Sequence, residues 1–353
     1  MKKIVIVSCI LLTVASCSNN SRRLLALHEV ERSRIEIVDS LYIPQENVHK
    51  TSVFVVSDTV LFVENDDSRL EHGDDMYYFF DLTKGEYKPF LKYGSGNGDL
   101  LSSTSCRNGD EMLIYDFIKH DVYAFSLESI VKQKHPNISK RIIDFSCQYL
   151  LPYKDSSFIF LNPLYFPLKN RQFPSQRNQF CLSDGTHYDF PHNYKYDYFN
   201  VTRGFFIIDW YRDRLVYFDA YYHRIDYYST ALEHLFTLED PSQDVASYTI
   251  IKYNEKDQGL VFSSVIPETF LDVAYNRDYI YVAYSGHVII DDFRREVFQS
   301  IIYKLSWDGV FLASYDCNLH VKSLSSSPTD SAFLYIFGQD DTDHYSLIKC
   351  VLP

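Results

Sequence analysis

Three stretches written in one pattern decide the fold: Tyr77-Tyr78-Phe79-Phe80-Asp81-Leu82-Thr83-Lys84-Gly85, Leu215-Val216-Tyr217-Phe218-Asp219-Ala220, and Ile301-Ile302-Tyr303-Lys304-Leu305-Ser306-Trp307-Asp308-Gly309. Each is a strand-length run of aromatic and β-branched residues that breaks into a polar turn. Related strands stand at Val122-Tyr123-Ala124-Phe125, at Phe180-Cys181-Leu182-Ser183-Asp184-Gly185 and at Tyr345-Ser346-Leu347-Ile348-Lys349. Turn clusters such as Asn65-Asp66-Asp67-Ser68, Arg107-Asn108-Gly109-Asp110 and Trp307-Asp308-Gly309 separate the strands. Asn-Gly and Asp-Gly pairs supply the positive φ that tight hairpins need.

Working outward, period-2 stretches dominate from Ile35 onward: Arg34-Ile35-Glu36-Ile37-Val38, Val53-Phe54-Val55-Val56 and Val60-Leu61-Phe62-Val63. No segment carries a sustained, capped stripe of 3.6-residue period. Composition agrees, because the 353 residues include 30 Tyr and 26 Phe but only 10 Ala and 12 Gly. That mixture favours strands and disfavours helix bundles. Four-stranded units recurring at about 40–50 residues are the sequence signature of propeller blades. The length from Ile35 to Pro353 divides into six or seven of them. The expected fold is therefore an all-β propeller of four-stranded antiparallel blades, six-bladed or seven-bladed. The strand Ile35 to Val38 is expected to close the last blade and remove the free edges of an open sheet.

The first residues are not part of that fold. Met1-Lys2-Lys3 is a short basic start, and Ile4 to Val14 is an apolar run that ends in Ala15-Ser16-Cys17. This is the layout of a secretory signal, too short to span a bilayer, which needs about 20 apolar residues. Val14-Ala15-Ser16-Cys17 looks like a bacterial lipobox, which implies cleavage before Cys17 and acylation of its sulfur. Residues 1–16 are then a lipoprotein signal peptide, 17–34 a lipidated N-terminus and tether, and 35–353 one propeller domain. Ser18-Asn19-Asn20-Ser21-Arg22-Arg23 lacks the acidic run that resembles a surface-export signal. The expected address is the cell envelope, at the outer membrane, with the domain in the periplasm or at the cell surface.

Charge excludes one class of partner. The whole chain carries −13 at neutral pH, and losing Lys2 and Lys3 takes it to about −15. A field of that sign repels phosphate backbones, so nucleic acid is not an expected partner. Once Cys9 leaves with the signal and Cys17 carries lipid, five cysteines remain: Cys106, Cys147, Cys181, Cys317 and Cys350. Five is odd, so at least one thiol stays free, and no CxxC or His spacing suggests zinc. Such isolated cysteines read as small buried hydrophobes.

Phe90-Leu91-Lys92-Tyr93-Gly94-Ser95-Gly96-Asn97-Gly98-Asp99-Leu100 resembles the Gly-rich loop of the TolB-like six-bladed propeller lipoproteins of Bacteroides-type bacteria. Asp278-Tyr279-Ile280-Tyr281-Val282-Ala283-Tyr284-Ser285-Gly286 followed by Ile302-Tyr303-Lys304-Leu305-Ser306-Trp307-Asp308-Gly309 looks like the closing pattern of the same family. One departure is Asn97-Gly98-Asp99 where that family carries Pro-Gly-Glu. The resemblance implies a propeller and an envelope address, and it implies no reaction.

The sequence carries no catalytic signature. Residues 94–98 are followed by strand-like text rather than a helix and carry no Gly-Lys-Ser/Thr, so they read as a turn between blades and not as a phosphate cradle. No Gly-x-Ser-x-Gly occurs. His187 and His192 bracket Tyr188-Asp189-Phe190-Pro191, and His344 follows Asp340-Asp341-Thr342-Asp343. Either group would need further ligands from the fold to hold a metal. The stretch from Phe158 to Phe206 is unusual in mixing many aromatics with Asn, Gln, Arg and four prolines. Aromatics beside amides and guanidinium groups can build a recognition surface, with Tyr194, Tyr196, Tyr198 and Arg203 as candidate binding residues. The same residues would equally serve as blade packing.

The functional expectation is a membrane-anchored, non-enzymatic propeller that binds or scaffolds a protein or glycan partner, with no cofactor and no assigned oligomeric state. The alternative is a metal-dependent hydrolase or lyase using calcium or zinc in the central channel.

Overall fold

The computed structural model describes residues 22–25, 27, 30–42, 51–65, 70–96, 98–108, 111–127, 129, 139–142, 147–154, 157–163, 178–189, 204–220, 222–240, 248–252, 258–262, 267–288, 299–327, 330–342 and 344–352. Three short strands come first: β1 (Arg22–Leu24), β2 (Arg32–Arg34) and β3 (Glu36–Tyr42). Blade 1 then runs through β4 (Thr51–Ser57), β5 (Val60–Asn65), β6 (Asp75–Asp81) and β7 (Glu86–Lys92). Blade 2 is β8 (Ser103–Asn108), β9 (Glu111–Asp116), β10 (Asp121–Ser126) and β11 (Ser139–Ile142). Blade 3 is β12 (Cys147–Tyr153), β13 (Ser157–Pro163), β14 (Asn178–Leu182) and β15 (His187–Asp189). Blade 4 is β16 (Gly204–Asp209), β17 (Arg214–Asp219), β18 (Arg224–Tyr228) and β19 (His234–Glu239). A separate hairpin, β20 (Tyr248–Lys252) with β21 (Gln258–Phe262), leads to blade 5. That blade is β22 (Pro267–Tyr275), β23 (Tyr279–Val288), β24 (Ser300–Ser306) and β25 (Phe311–Cys317). Blade 6 takes β26 (His320–Ser326), β27 (Phe333–Gln339) and β28 (Tyr345–Val351) from the C-terminus and β3 from the N-terminus.

The blades are antiparallel meanders, and the ring is a six-bladed β-propeller; of the two blade counts expected, six is the one observed. The closing strand is where the sequence pattern put it. β3 pairs antiparallel with β28, Leu41 opposite Leu347 and Glu36 opposite Val351. β3 and the C-terminal strands thus share one sheet, and the last blade has its fourth strand. Within the segment expected as a tether, β1 adds parallel to the outer edge of blade 4, Arg22 opposite Thr237, and β2 adds parallel to blade 5, Arg32 opposite Ser314.

Apolar side chains fill the gaps between blades. Val53, Val55, Leu61, Val63 and Phe80 of blade 1 meet Tyr335, Phe337 and Leu347 of blade 6. Blades 1 and 2 pack around Phe62, whose ring lies 5.2 Å from Tyr77, 5.2 Å from Phe79 and 5.7 Å from Phe125. Phe180 occupies the equivalent place between blades 3 and 4, edge-on to Phe206, Tyr217 and Tyr228 at 5.5, 5.9 and 5.1 Å. Edge-to-face rings at such distances add to the area term of burial. The abundance of Tyr and Phe is thereby explained: a blade interface is thick, and rings fill it.

The innermost strand of each blade has one edge without a strand partner. Its N–H and C=O groups must still be satisfied. Side chains from the neighbouring blade do part of this: Ser323 Oγ accepts from Val53 N–H at 2.9 Å, Ser325 Oγ from Val55 N–H at 3.0 Å, and Asp272 Oδ2 from Leu324 N–H at 2.7 Å. In the other direction Arg107 Nη1 donates to Val55 O at 3.1 Å and Ser326 Oγ donates to Tyr275 O at 2.6 Å. Small hydroxyls on β26 thus hold blade 6 to blade 1 from within.

Candidate functional site

The six inner strands β4, β8, β12, β16, β22 and β26 surround a central channel of about 970 Å³, within the range of small-molecule sites. Its wall carries Phe54 and Tyr149 as rings, Thr104, Ser105 and Ser325 as hydroxyls, Arg107 and Lys322 as cations, and Asp272 as an acid. The channel opens at the end where the inner strands finish. Trp210, Asn276, Arg277, Ser327 and Ser331 stand at that mouth. Asn276 organises it: its Oδ1 accepts from the N–H of Asp278 at 2.9 Å and of Tyr279 at 2.8 Å, and its Nδ2 donates to Ser331 O at 2.9 Å, joining blades 5 and 6. Beside the mouth a smaller hollow lies between Pro152, Tyr153, Lys154 and Trp210, with the Tyr153 and Trp210 rings 5.5 Å apart.

Asp272 is the channel acid whose chemistry burial alters. Burial at the wall pushes its carboxyl from the usual 3.8 up to about 7, against the opposing pull of the Leu324 and Val273 N–H groups. It therefore changes protonation near neutral pH, and a neutral carboxyl there both donates and accepts hydrogen bonds. Burial also lifts the Tyr149 phenol well above its ordinary range, so that group is a neutral donor at the wall. Asp209 at the mouth is held at 2.9 Å by Arg212.

Among the described residues, no group of three or more His, Cys, Asp or Glu side chains comes together in a way that could hold a metal ion. The Asp340–His344 turn is explained by its own hydrogen bonds: Asp340 Oδ1 accepts from the N–H groups of Thr342 and His344, both at 2.9 Å, and the His344 imidazole meets the Thr342 hydroxyl. His187 belongs to β15, and His192 lies outside the described residues. Cys106, Cys147, Cys181, Cys317 and Cys350 are all buried free thiols. Burial lifts the Cys317 thiol to about 11 and the Cys181 thiol to about 12, which suits packing and not nucleophilic attack.

The glycine-rich loop links blade 1 to blade 2, as its turn-like reading implied. Gly96 N–H donates to Asp99 Oδ2 at 3.0 Å, Ser95 N–H donates to His72 Nε2 at 3.0 Å, and Lys119 Nζ donates to the carbonyls of Gly96 and Asp99. A Cβ on Gly96 would lie 2.4 Å from Asp99 Oδ2, and Gly98 adopts φ +92°. The positive φ at Gly98 favours glycine, and the Gly96 N–H that could face a phosphate is taken by a carboxylate of the loop's own chain.

The candidate residues Tyr194, Tyr196, Tyr198 and Arg203 lie outside the described residues, as does Cys17. Their aromatic neighbours Phe158, Phe160, Phe180 and Phe206 are buried between blades. The channel set of Arg107, Tyr149, Asp272 and Lys322 escaped sequence reading. These residues come from four different blades, and nothing local distinguishes them from other strand residues.

Ring, channel and closing strand define the class: a six-bladed β-propeller with a polar, aromatic-lined axial site. No family model matches the chain, and no curated protein is significantly similar to it in sequence. Solved structures do share the fold. A member of the DUF4221 family from Bacteroides vulgatus superposes with a TM-score of 0.56 at 13% identity, over 91% of this chain and 99% of that one. A protein assigned as exported in Bacteroides fragilis superposes with a TM-score of 0.50 at 10% identity, over 92% and 96%. At such identities the likeness is one of fold.

Proposed function

We propose that this chain is an envelope-anchored binding module, held by lipid on Cys17, that takes a saccharide in the axial channel of its propeller. The carrying observation is the channel itself. A concave site of about 970 Å³ with rings (Phe54, Tyr149), hydroxyls (Thr104, Ser105, Ser325) and cations (Arg107, Lys322) matches the chemistry of sugars, which need stacking and hydrogen bonds together. It is too narrow to take the flat face of a folded partner. The exported assignment of the Bacteroides fragilis neighbour, the lipobox and the resemblance to TolB-like propeller lipoproteins support an address outside the cytoplasm.

The test is a glycan array probed with residues 18–353, followed by calorimetry with each retained sugar. The expected result is saturable binding that Lys322→Ala weakens at least about tenfold, the loss of one charge-assisted contact. If no sugar is retained while protein subunits co-purify from membranes, the ligand is a protein and the saccharide reading falls. The metal-dependent hydrolase or lyase reading would be favoured by turnover of a lactone or glycan that stops with EDTA, together with a melting temperature that drops on chelation.

A further inference from the structure

The end of the ring at which the channel opens differs chemically from the opposite end. It holds the turn from first to second strand and the turn from third to fourth strand of every blade. In blade 4 these are residues 210–213 and 229–233, and in blade 5 residues 276–278 and 307–310. Trp210 and Tyr211, 42% and 84% exposed, project from the first of them, and exposed Val310 from the last. Leu235 and Leu312 are exposed on the strand residues just beyond these turns, and exposed Ile37 and Val38 begin β3 at the same end of blade 6. The opposite end, among the described residues, exposes large apolar side chains at Ile118 and Ile142 of blade 2 and at Leu24.

The exposed apolar groups of blades 4 and 5 share this end of the ring, where polar contacts tie the turns of the two blades together. Arg212 lies over the Trp307 ring at 5.7 Å, Arg214 Nη2 is 3.3 Å from Asp308 Oδ1, and Arg23 Nη1 donates to Asp308 O at 3.4 Å while its guanidinium covers Phe236 at 3.8 Å. Across these turns and contacts, Arg23, Arg212, Arg214 and Arg277 stand against Asp209, Asp213, Glu233, Asp278 and Asp308, so this end is close to neutral, one charge short of balance, although the chain is strongly acidic.

The N-terminal segment lies beside this end. β1 runs parallel to β19, which starts at the turn end, so Arg22 is the β1 residue nearest that end. Cys17 is five residues upstream of Arg22, and five residues reach at most about 18 Å. A lipid on Cys17 would thus be confined to the neighbourhood of blade 4 and could not float free of the domain.

We infer that the strip formed by Trp210, Tyr211, Leu235, Val310 and Leu312 is a membrane-resting surface that lies on a zwitterionic lipid headgroup layer, with the ends of blades 4 and 5 toward the bilayer. The inference rests on the lipid-anchor part of the proposed function. Exposed Trp and Tyr partition to the headgroup level, and ion-paired arginines are neutral toward a zwitterionic surface. Acyl chains on Cys17 would hold the chain at the surface but leave its orientation open, and a second, local contact fixes that orientation. The channel mouth then faces the lipid surface, which selects ligands presented there.

The two tryptophans of the chain, Trp210 and Trp307, both belong to this end, one exposed and the other buried at 4%. The experiment uses the full chain purified from membranes and reconstituted in phosphatidylcholine vesicles with brominated acyl chains, where bromine quenches nearby indoles. The expected result is loss of most Trp210 emission, with Trp210→Phe leaving only the weaker, less quenched Trp307 signal. Tyr211→Asp with Val310→Asp is expected to restore Trp210 emission while acylation and melting temperature stay unchanged. A protein that is acylated and floats with the vesicles yet shows unquenched tryptophan overturns the inference and leaves the anchor intact. A protein with no acyl mass on Cys17 that stays in the aqueous phase, as its Cys17→Ser form does, overturns the anchor and the inference with it.

Discussion

On the channel wall, Asp272 links stability to pH in the direction opposite to a salt-bridged acid. Its folded-state pKa is raised, to about 7 from 3.8, so the folded chain holds that proton more tightly than the unfolded chain. The contribution is fully present below about pH 4 and is lost as pH rises through 7. Asp272→Asn keeps an oxygen for the Leu324 N–H without the charge. It is expected to be more stable than the parent at pH 8, on the order of 2 kcal/mol, and to flatten the stability slope between pH 4 and pH 8 in urea titrations. A variant that is less stable than the parent at pH 8 would show that the carboxylate is stabilised in the channel. The buried pair Arg224–Asp226 is a different case: Nε to Oδ2 is 2.7 Å and Nη2 to Oδ1 is 2.8 Å, with both side chains under 2% exposed and Thr237 Oγ1 donating to Asp226 at 2.6 Å. Residues two apart in a strand share one face, which is why this pair can form inside blade 4. Asp226→Ala should cost about 3–5 kcal/mol because it leaves a guanidinium buried without its acid, whereas Arg224→Met with Asp226→Leu should cost far less. Chemical denaturation of the two variants distinguishes a bridge that stabilises from one that is merely tolerated.

At the scale of the element, the N-terminal strands act as clips on the outside of the ring. β3 completes blade 6, and β1 and β2 each add one strand to the blade before it, so three successive blades are bordered by one short segment of chain. Only β3 covers the edge that would otherwise leave the ring open in sequence. Removing residues 18–34 is therefore expected to leave a folded ring, whereas removing residues 18–46 strips β28 of its outer partner and exposes its N–H and C=O row. The longer truncation should melt lower and elute as larger species in size-exclusion chromatography. Equal behaviour of the two truncations would mean that blade 6 is stable with three strands.

Across the whole molecule, stability is distributed around a ring of apolar interfaces, each built from side chains of two adjacent blades. Phe62 is the point where blades 1 and 2 meet, fully buried and in contact with several rings. Phe62→Ala is expected to cost about 3–5 kcal/mol, the range for deleting a buried ring. Because the ring is closed, that loss should lower one cooperative transition and not release a single blade. Calorimetry that resolved a separate low-temperature step would contradict this coupling.

The all-β class, the hairpin units and the closure by Ile35 to Val38 are legible in the order of the amino acids. Those are local properties: period-2 alternation, turn residues with positive φ and aromatic-rich strands are legible one segment at a time. The loop Gly94–Gly98 was likewise legible as a connector, because a glycine pattern without a following helix has few other uses. The count of six blades, the clipping by β1 and β2, and the axial site emerge from how the blades come together in space. Arg107, Tyr149, Asp272 and Lys322 are ordinary strand residues until four blades bring them to one axis, and burial there, not sequence context, shifts the Asp272 carboxyl. Strand formation is set by neighbours in sequence, whereas a channel and its electrostatics are set by neighbours in space.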